Sequence, residues 1–392
     1  MKIQSIHSAI RGLITAGCTT GLTLAWARGE SVPLRAEEKP TPERPLVQLA
    51  LLLDTSGSME GLISQAKTQL WQIVNEFIAA KQDGIVPKVE VALYEYGNDG
   101  LDSAKGYVRQ IAPLTDDLDK ISESLFSLRT NGGSEYCGWV IRDAAKDLKW
   151  DESPKVYKAI FIAGNEEFTQ GPIKYRTACK TAVERGVIVN TIHCGDEASG
   201  VRGKWKDGAA LADGKFMTID TNAQVAHVDA PQDKAIAELN EKLNATYIAY
   251  GLHGAEGKGR QAAQDSAAAA APGKSSVVAQ RAKTKASKNY SNAAWDLIDA
   301  VKDKKVDLAK VKKEELPEEL RELAPEERAE VVEAKRKERE ELQNQLKQLV
   351  DERDKFVAAQ RKEAAGEKRL DQAVTSAVRQ QASKKSFVFS EK

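Results

Sequence analysis

At 392 residues the chain exceeds one ordinary domain of ~100 to 200 residues and points to about two. Its 58 Lys and Arg residues equal its 58 Asp and Glu residues, which argues against general attraction to nucleic acid or to an anionic membrane and leaves any binding surface local. Four cysteines and four histidines give no paired Cys-x-x-Cys and no His/Cys zinc spacing.

The chain begins with a weakly basic start (Lys2, Arg11) and an apolar stretch from Gly12 to Ala27, shorter than the ~20 residues of a membrane span. It closes on Ala25-Trp26-Ala27, the small-x-small form of a signal-peptide cleavage site. Residues 1–27 therefore read as a signal peptide cut after Ala27, which predicts a periplasmic or secreted protein. Acylation at Cys18 or an uncleaved anchor are the rival readings. No later stretch is apolar and long enough to span a bilayer, so no transmembrane helix is expected in the mature chain. Cys137, Cys179 and Cys194 are then left, an odd and sparse set with no assignable pair.

Residues 28–45 are proline-rich and charged, as a linker is. From 46 to 251 short apolar runs alternate with helical spacing. The runs are Val47–Leu53, Val89–Tyr96, Val156–Ala163, Val187–Cys194 and Phe216–Asp220. Between them Leu62, Ala66, Ile73 and Phe77 make one helical stripe, and Leu118, Ile121, Leu125 and Leu128 another. Trp139, Val140 and Ala144 lead into a third helix, Gly171–Gly186 gives a fourth, and a further helix is expected across Asp233–Leu243. The pattern predicts an α/β fold, a doubly wound and mostly parallel sheet covered by helices.

Composition changes after Gly251. Residues 252–288 are rich in alanine and show no apolar face, so they read as a flexible linker. Residues 289–392 are charged and helical, with Pro325-Glu326-Glu327 as a helix opening. Leu342, Leu346, Leu349 and Phe356 keep heptad-compatible spacing, but Arg353 interrupts the row. The expectation is either a solvated helix or a short coiled coil that could serve self-association.

The chemistry concentrates where the first run ends, at "DTSGSM" from Asp54 to Met59. A carboxylate at the C-terminal end of a buried parallel strand lies where ligands collect in such sheets, and an unpaired charge there is costly. Ser56 and Ser58 can turn hydroxyls toward the same point. Oxygen ligands with few nitrogens or thiolates suit a hard cation, Mg²⁺ foremost, with Mn²⁺ or Ca²⁺ as alternatives. Helix capping is the bland alternative for Asp54 and Ser56.

These residues resemble the first motif of the von Willebrand factor type A domain, whose metal-ion-dependent adhesion site (MIDAS) combines Asp-x-Ser-x-Ser with two further loops. The resemblance covers about Leu46–Gly251. It implies a doubly wound α/β fold that binds Mg²⁺ and completes the metal shell with an Asp or Glu from a partner protein; few such domains are enzymes. For the second loop, "RTNGGSEYCGWVI" offers Ser134 where the family usually has Thr, and Glu135 as an acidic candidate. For the third, "IFIAGNEEF" departs from the family's Thr-Asp-Gly. Gly164 stands in place of the aspartate, and Asn165 or Glu166 could approach the metal. The loss of that carboxylate implies weaker intrinsic Mg²⁺ binding and a metal more electrophilic toward an outside carboxylate.

The expected function is an exported, adhesion-type protein-binding module with metal residues Asp54, Ser56, Ser58, Ser134, Glu135 and Asn165. One alternative is a metal-independent envelope scaffold working through the C-terminal helices. Another is a metal-dependent hydrolase with His193 as general base, disfavoured because Gly-x-Ser-x-Gly, His-Glu-x-x-His and phosphate-cradling motifs are all missing. No nucleic-acid partner is expected.

Overall fold

The computed structural model describes residues 43–219, 228–271, 273–362 and 370–389. In chain order these form β1 (Leu46–Asp54), α1 (Glu60–Ile78), β2 (Ala80–Lys81), β3 (Lys88–Tyr96), β4 (Val108–Thr115), α2 (Leu118–Ser127) and α3 (Cys137–Asp147). Then come β5 (Tyr157–Gly164), α4 (Tyr175–Glu184), β6 (Ile188–Cys194), α5 (Glu197–Arg202), α6 (Trp205–Leu211), β7 (Phe216–Ile219) and α7 (Asp233–Asn244). The C-terminal part adds α8 (Gly254–Ala270), α9 (Lys274–Lys285), α10 (Leu297–Lys302), α11 (Glu318–Arg321), α12 (Pro325–Lys362), α13 (Leu370–Ser383) and β8 (Val388–Phe389).

The main sheet among the described residues has the order β4-β3-β1-β5-β6-β7, parallel except for β4. Because β1 is paired on both edges and covered on both faces, nearly every residue in it is buried, which explains its continuous apolar run. Leu49, Leu51 and Leu53 point to one face, with α1, α2 and α13 above them, while Ala50 and Leu52 point to the other, with α3, α4 and α6. After β1 the chain lays down β3 and β4 on one side and returns to β5 on the other. The strand order therefore reverses beside the C-terminal end of β1, where an open α/β sheet has its crevice.

The edge strand β4 is an element that periodicity missed. It pairs antiparallel with β3 through two register shifts and is only partly buried. Its Pro113 is tolerable because an edge strand leaves one row of backbone groups unpaired.

Residues 252–288, expected to be a flexible linker, hold two packed helices, α8 and α9. Ala268, Val277, Ala279 and Ala282 are buried with them. So are Gln261, Gln264, Arg281, Thr284 and Lys285, polar residues that a count of apolar positions passes over. The lack of side chains is itself a packing device here, since a Cβ on Gly257 would run into the Trp295 ring.

The coiled-coil expectation also needs correction. Leu342, Leu346 and Val350 of α12 join Ile236 and Leu243 of α7 and Ala279 and Ala282 of α9 in one apolar cluster. The heptad-like seam thus faces this chain's own helices. Arg353, which seemed to spoil the seam, is buried and bonds through Nε to Asp233 Oδ1 at 2.5 Å. The described residues from Arg44 onward accordingly pack as one compact unit. No helix of the described residues is long and apolar enough to cross a membrane. The signal-peptide reading and the linker reading as far as residue 42 lie outside the described residues, as does Asp220 at the end of the expected last strand. Arg44, near the end of the expected 28–45 linker, is instead bonded into the packed unit through Val86, Pro87, Lys288 and Asn289.

Candidate metal centre at the end of the central strand

Asp54 is the last residue of β1 and is fully buried. Its Oδ1 accepts the Ser56 backbone N–H at 2.7 Å, so the carboxylate folds back over the turn that follows. That turn enters α1 through a single 3₁₀ turn, Gly57–Met59. Neither Ser56, preceding the 3₁₀ turn, nor Met59, preceding α1, makes a side-chain cap. The helix-capping alternative for Ser56 therefore has no bond to carry it.

The second loop is stitched to the first through the backbone. Gly57 N–H donates to Gly132 O at 2.7 Å and Asn131 N–H to Thr55 O at 3.0 Å. This seats Glu135, 5% exposed, against Asp54. Gly97 marks how close the approach is: its φ is +80°, and a Cβ there would stand 2.8 Å from both Asp54 Oδ1 and Glu135 Cγ. The Gln170 Oε1 atom holds Glu135 from behind by accepting its backbone N–H at 3.2 Å.

The third loop explains its own departure from the Thr-Asp-Gly pattern. A Cβ on Gly164 would collide with the Tyr96 hydroxyl and lie 3.0 Å from Asp54 Oδ2. Tyr96, which donates to Ala163 O at 3.0 Å, thus takes the room an aspartate at 164 would need. The second acid of the site comes from the second loop instead, as Glu135. Sequence reading had no signal for this exchange, because Tyr96 sits 68 positions before Gly164 and looks like an ordinary strand residue.

The hydroxyls complete the cluster. Ser56 Oγ lies 3.4 Å from Ser58 Oγ, and Asn165 Nδ2 donates to Ser58 Oγ at 3.1 Å. Asp54, Ser56, Ser58, Glu135 and Asn165 are thereby brought together. Ser134 is half-buried and makes no side-chain hydrogen bond among the described residues. Glu166 is exposed; its carbonyl receives the indole N–H of Trp205 at 2.7 Å. Trp205 itself is fully buried.

Three oxygens at this cluster are buried and lack a hydrogen-bond partner: Asp54 Oδ2, Glu135 Oε2 and Asn165 Oδ1. Burial raises the pKa of Asp54, although its bonds with Ser56 oppose the shift. Burial, followed by the Asp54 charge, raises that of Glu135. Two acids facing each other without a cation are strained electrostatically, and acceptor-only orphan atoms ask for a positive ligand. The donor set, all oxygen, fits a hard divalent cation. Among the described residues no group of three or more His, Cys, Asp or Glu side chains could hold a metal. A cation here would have to rely on two carboxylates supplemented by hydroxyl and amide oxygens.

His193, the alternative general base, ends up bonded through Nε2 to Ser199 Oγ at 2.8 Å and packed near Trp205. Burial lowers its pKa. Cys137, Cys179 and Cys194 are all buried and free.

Comparison with protein-family models and with curated proteins returns no match. Among solved structures, the SpRpn10 VWA domain is similar at 17% identity, covering 46% of this chain and 90% of that one, with a TM-score of 0.34. BatB from Bacteroides thetaiotaomicron is similar at 17% identity over 44% of this chain and 90% of its own, with a TM-score of 0.34. Proximal thread matrix protein 1 from the mussel byssus, described with a zinc-occupied MIDAS motif, is similar at 12% identity over 46% and 43%, with a TM-score of 0.34. At these values the overlaps carry nothing about ligand or partner.

Proposed function

We propose that this protein is an exported, von Willebrand factor A-type binding module that holds Mg²⁺, or Mn²⁺ or Ca²⁺, at Asp54, Ser56, Ser58, Glu135 and Asn165. The observation that carries the reading is the set of three buried, partnerless oxygens around two serine hydroxyls. A bound divalent cation supplies the positive charge those atoms lack. Asp54 and Glu135 hold it by charge, and the serine and asparagine oxygens orient around it. An Asp or Glu carboxylate of a partner protein completes the shell, so recognition depends on the cation. Two carboxylates on the chain's side leave the site less electrophilic than the sequence reading implied, since Glu135 replaces the charge missing at 164.

Export after Ala27, to the periplasm or the medium, is part of the same reading and rests on the first 27 residues. The test is affinity capture from an envelope or secreted fraction with the mature protein in Mg²⁺, followed by EDTA elution. An acidic-surface partner released by EDTA and missing with Asp54→Ala is the expected result. A partner retained equally by both proteins and indifferent to EDTA would favour the metal-independent scaffold instead.

A further inference from the structure

A cavity of about 260 Å³ lies at the other pole of the sheet, walled by the start of β3 (Lys88, Val89) and by residues 288–305. β1 and β3 run in register from Leu46/Lys88 to Asp54/Tyr96, so at ~3.3 Å per residue the cavity is about 26 Å from the candidate metal centre. Its floor is built around Arg44. That guanidinium donates to the carbonyls of Val86 at 3.1 Å, Pro87 at 2.5 Å and Lys288 at 2.9 Å, and to Asn289 Oδ1 at 2.6 Å.

An inventory of the polar groups around it is unbalanced. Each acid is already engaged. Asp116 pairs with Lys88 at 3.0 Å, Asp117 accepts from Lys120 N–H at 3.0 Å and from Arg260 at 3.2 Å, and Asp303 accepts from the Ser291 hydroxyl at 2.8 Å. The donors are not. Asn289 and Asn292 are 6% and 8% exposed, and the Nδ2 atom of each is buried with no partner. Because Asn289 Oδ1 is fixed by Arg44, its amide cannot be turned around to remove the orphan. Lys288 and Lys305 at the rim are exposed and have no ion-pair partner among the described residues.

We propose that this cavity binds a small organic oxyanion, with its carboxylate or phosphate received by Asn289, Asn292, Lys288 and Lys305. Buried N–H groups without acceptors are costly, and a charged acceptor satisfies several at once. The volume is below the ~300 to 1,000 Å³ usual for drug-sized ligands, so the ligand is a metabolite-sized anion. Val89 and Trp295 offer it an apolar wall. This site stands independently of the metal centre.

The test is isothermal titration of the full mature protein with inorganic phosphate and, separately, with succinate. Sodium chloride of matched ionic strength and glycerol serve as controls. Saturable binding of either anion above the controls is expected, and the stronger of the two identifies the oxyanion. Lys288→Ala with Lys305→Ala, both at exposed positions, should weaken it about tenfold. Asn292→Asp, which turns a donor into a repelling acceptor, should abolish it. The proposal is overturned if neither anion binds saturably, or if binding survives the lysine pair and Asn292→Asp unchanged. Thermal melts of each variant report folding, and should Asn292→Asp fail to fold the lysine pair decides alone.

Discussion

Two clusters of buried acids in this molecule are built on opposite principles. Where α8 and α9 pack on α2, Asp119 and Asp265 are met by Arg281 at 2.5 Å each, Asp265 also by Lys285 at 2.9 Å, and the Tyr290 hydroxyl donates to Asp119 at 2.5 Å. At the end of β1, Asp54 and Glu135 face each other, with the nearest help coming from the hydroxyl and the backbone N–H of Ser56. The first cluster closes its own charge and joins α2, α8 and α9. The second leaves its charge open. Burial alone would raise Asp265, yet the charges of Lys285 and Arg281 outweigh it and hold the group down to about 2. Asp54 and Glu135 move the other way. An acid satisfied from within belongs to the fold, whereas an acid left open at a sheet crevice belongs to a ligand.

The largest effect should come from breaking the closed cluster. Arg281→Met removes the guanidinium that Asp119 and Asp265 share and leaves Asp119 without a cation, and urea denaturation should show a loss of about 3 to 5 kcal/mol. The matched change at the open cluster, Asp54→Asn with Glu135→Gln, should leave the metal-free protein at least as stable, because it removes a repulsion. Equal losses in both would erase the distinction.

Next in size is the response to cation. Mg²⁺ at a hundredfold excess over its Kd should stabilise the chelator-stripped protein by about 2.7 kcal/mol. The open-cluster double variant should show no such gain, whereas a mildly destabilising change in the closed cluster should keep it.

The pH dependences should run in opposite directions. Asp265, with a depressed pKa, contributes about 2 kcal/mol that is complete above the ordinary carboxylate value near ~4 and fades as pH falls toward about 2. Asp54 and Glu135, with raised values, bind protons more readily folded than unfolded. They therefore make the metal-free protein lose stability as pH climbs from ~4 through neutrality. Denaturation curves at several pH values, with EDTA and with Mg²⁺, check both signs, and Mg²⁺ should flatten the second slope.

A smaller effect tests the same rule with neutral groups. Gln381 of α13 is buried, accepts from Tyr157 Oη at 2.7 Å and exchanges bonds with Asn190 at 2.7 and 3.1 Å. Gln381→Leu should cost about 1 to 3 kcal/mol by leaving those partners unpaired, read as a shift in the denaturation midpoint.

The sheet was legible in the sequence because β1, β3, β5 and β6 are buried and write themselves as apolar runs. So was the Asp54 corner, since Asp-x-Ser-x-Ser between a strand and a helix is a local pattern. What escaped reading is held by groups far apart in the chain. Arg281 and Asp119 are 162 residues apart, and Arg339 reaches Asp296 and Thr246 across 43 and 93. Such pairs bury charge where hydropathy predicts solvent, so α8, α9 and the inner face of α12 looked like linker and exposed helix. Glu135 was visible as a candidate, but its place as the second acid depends on Tyr96 filling the space beside Gly164, a packing fact with no one-dimensional trace.

The most direct measurement is isothermal titration of Mg²⁺ into the chelator-stripped mature protein, alongside Asp54→Ala and Glu135→Gln. The account predicts one saturable site that vanishes with Asp54→Ala and weakens about tenfold with Glu135→Gln. No saturable heat, or a site indifferent to both substitutions, would contradict it.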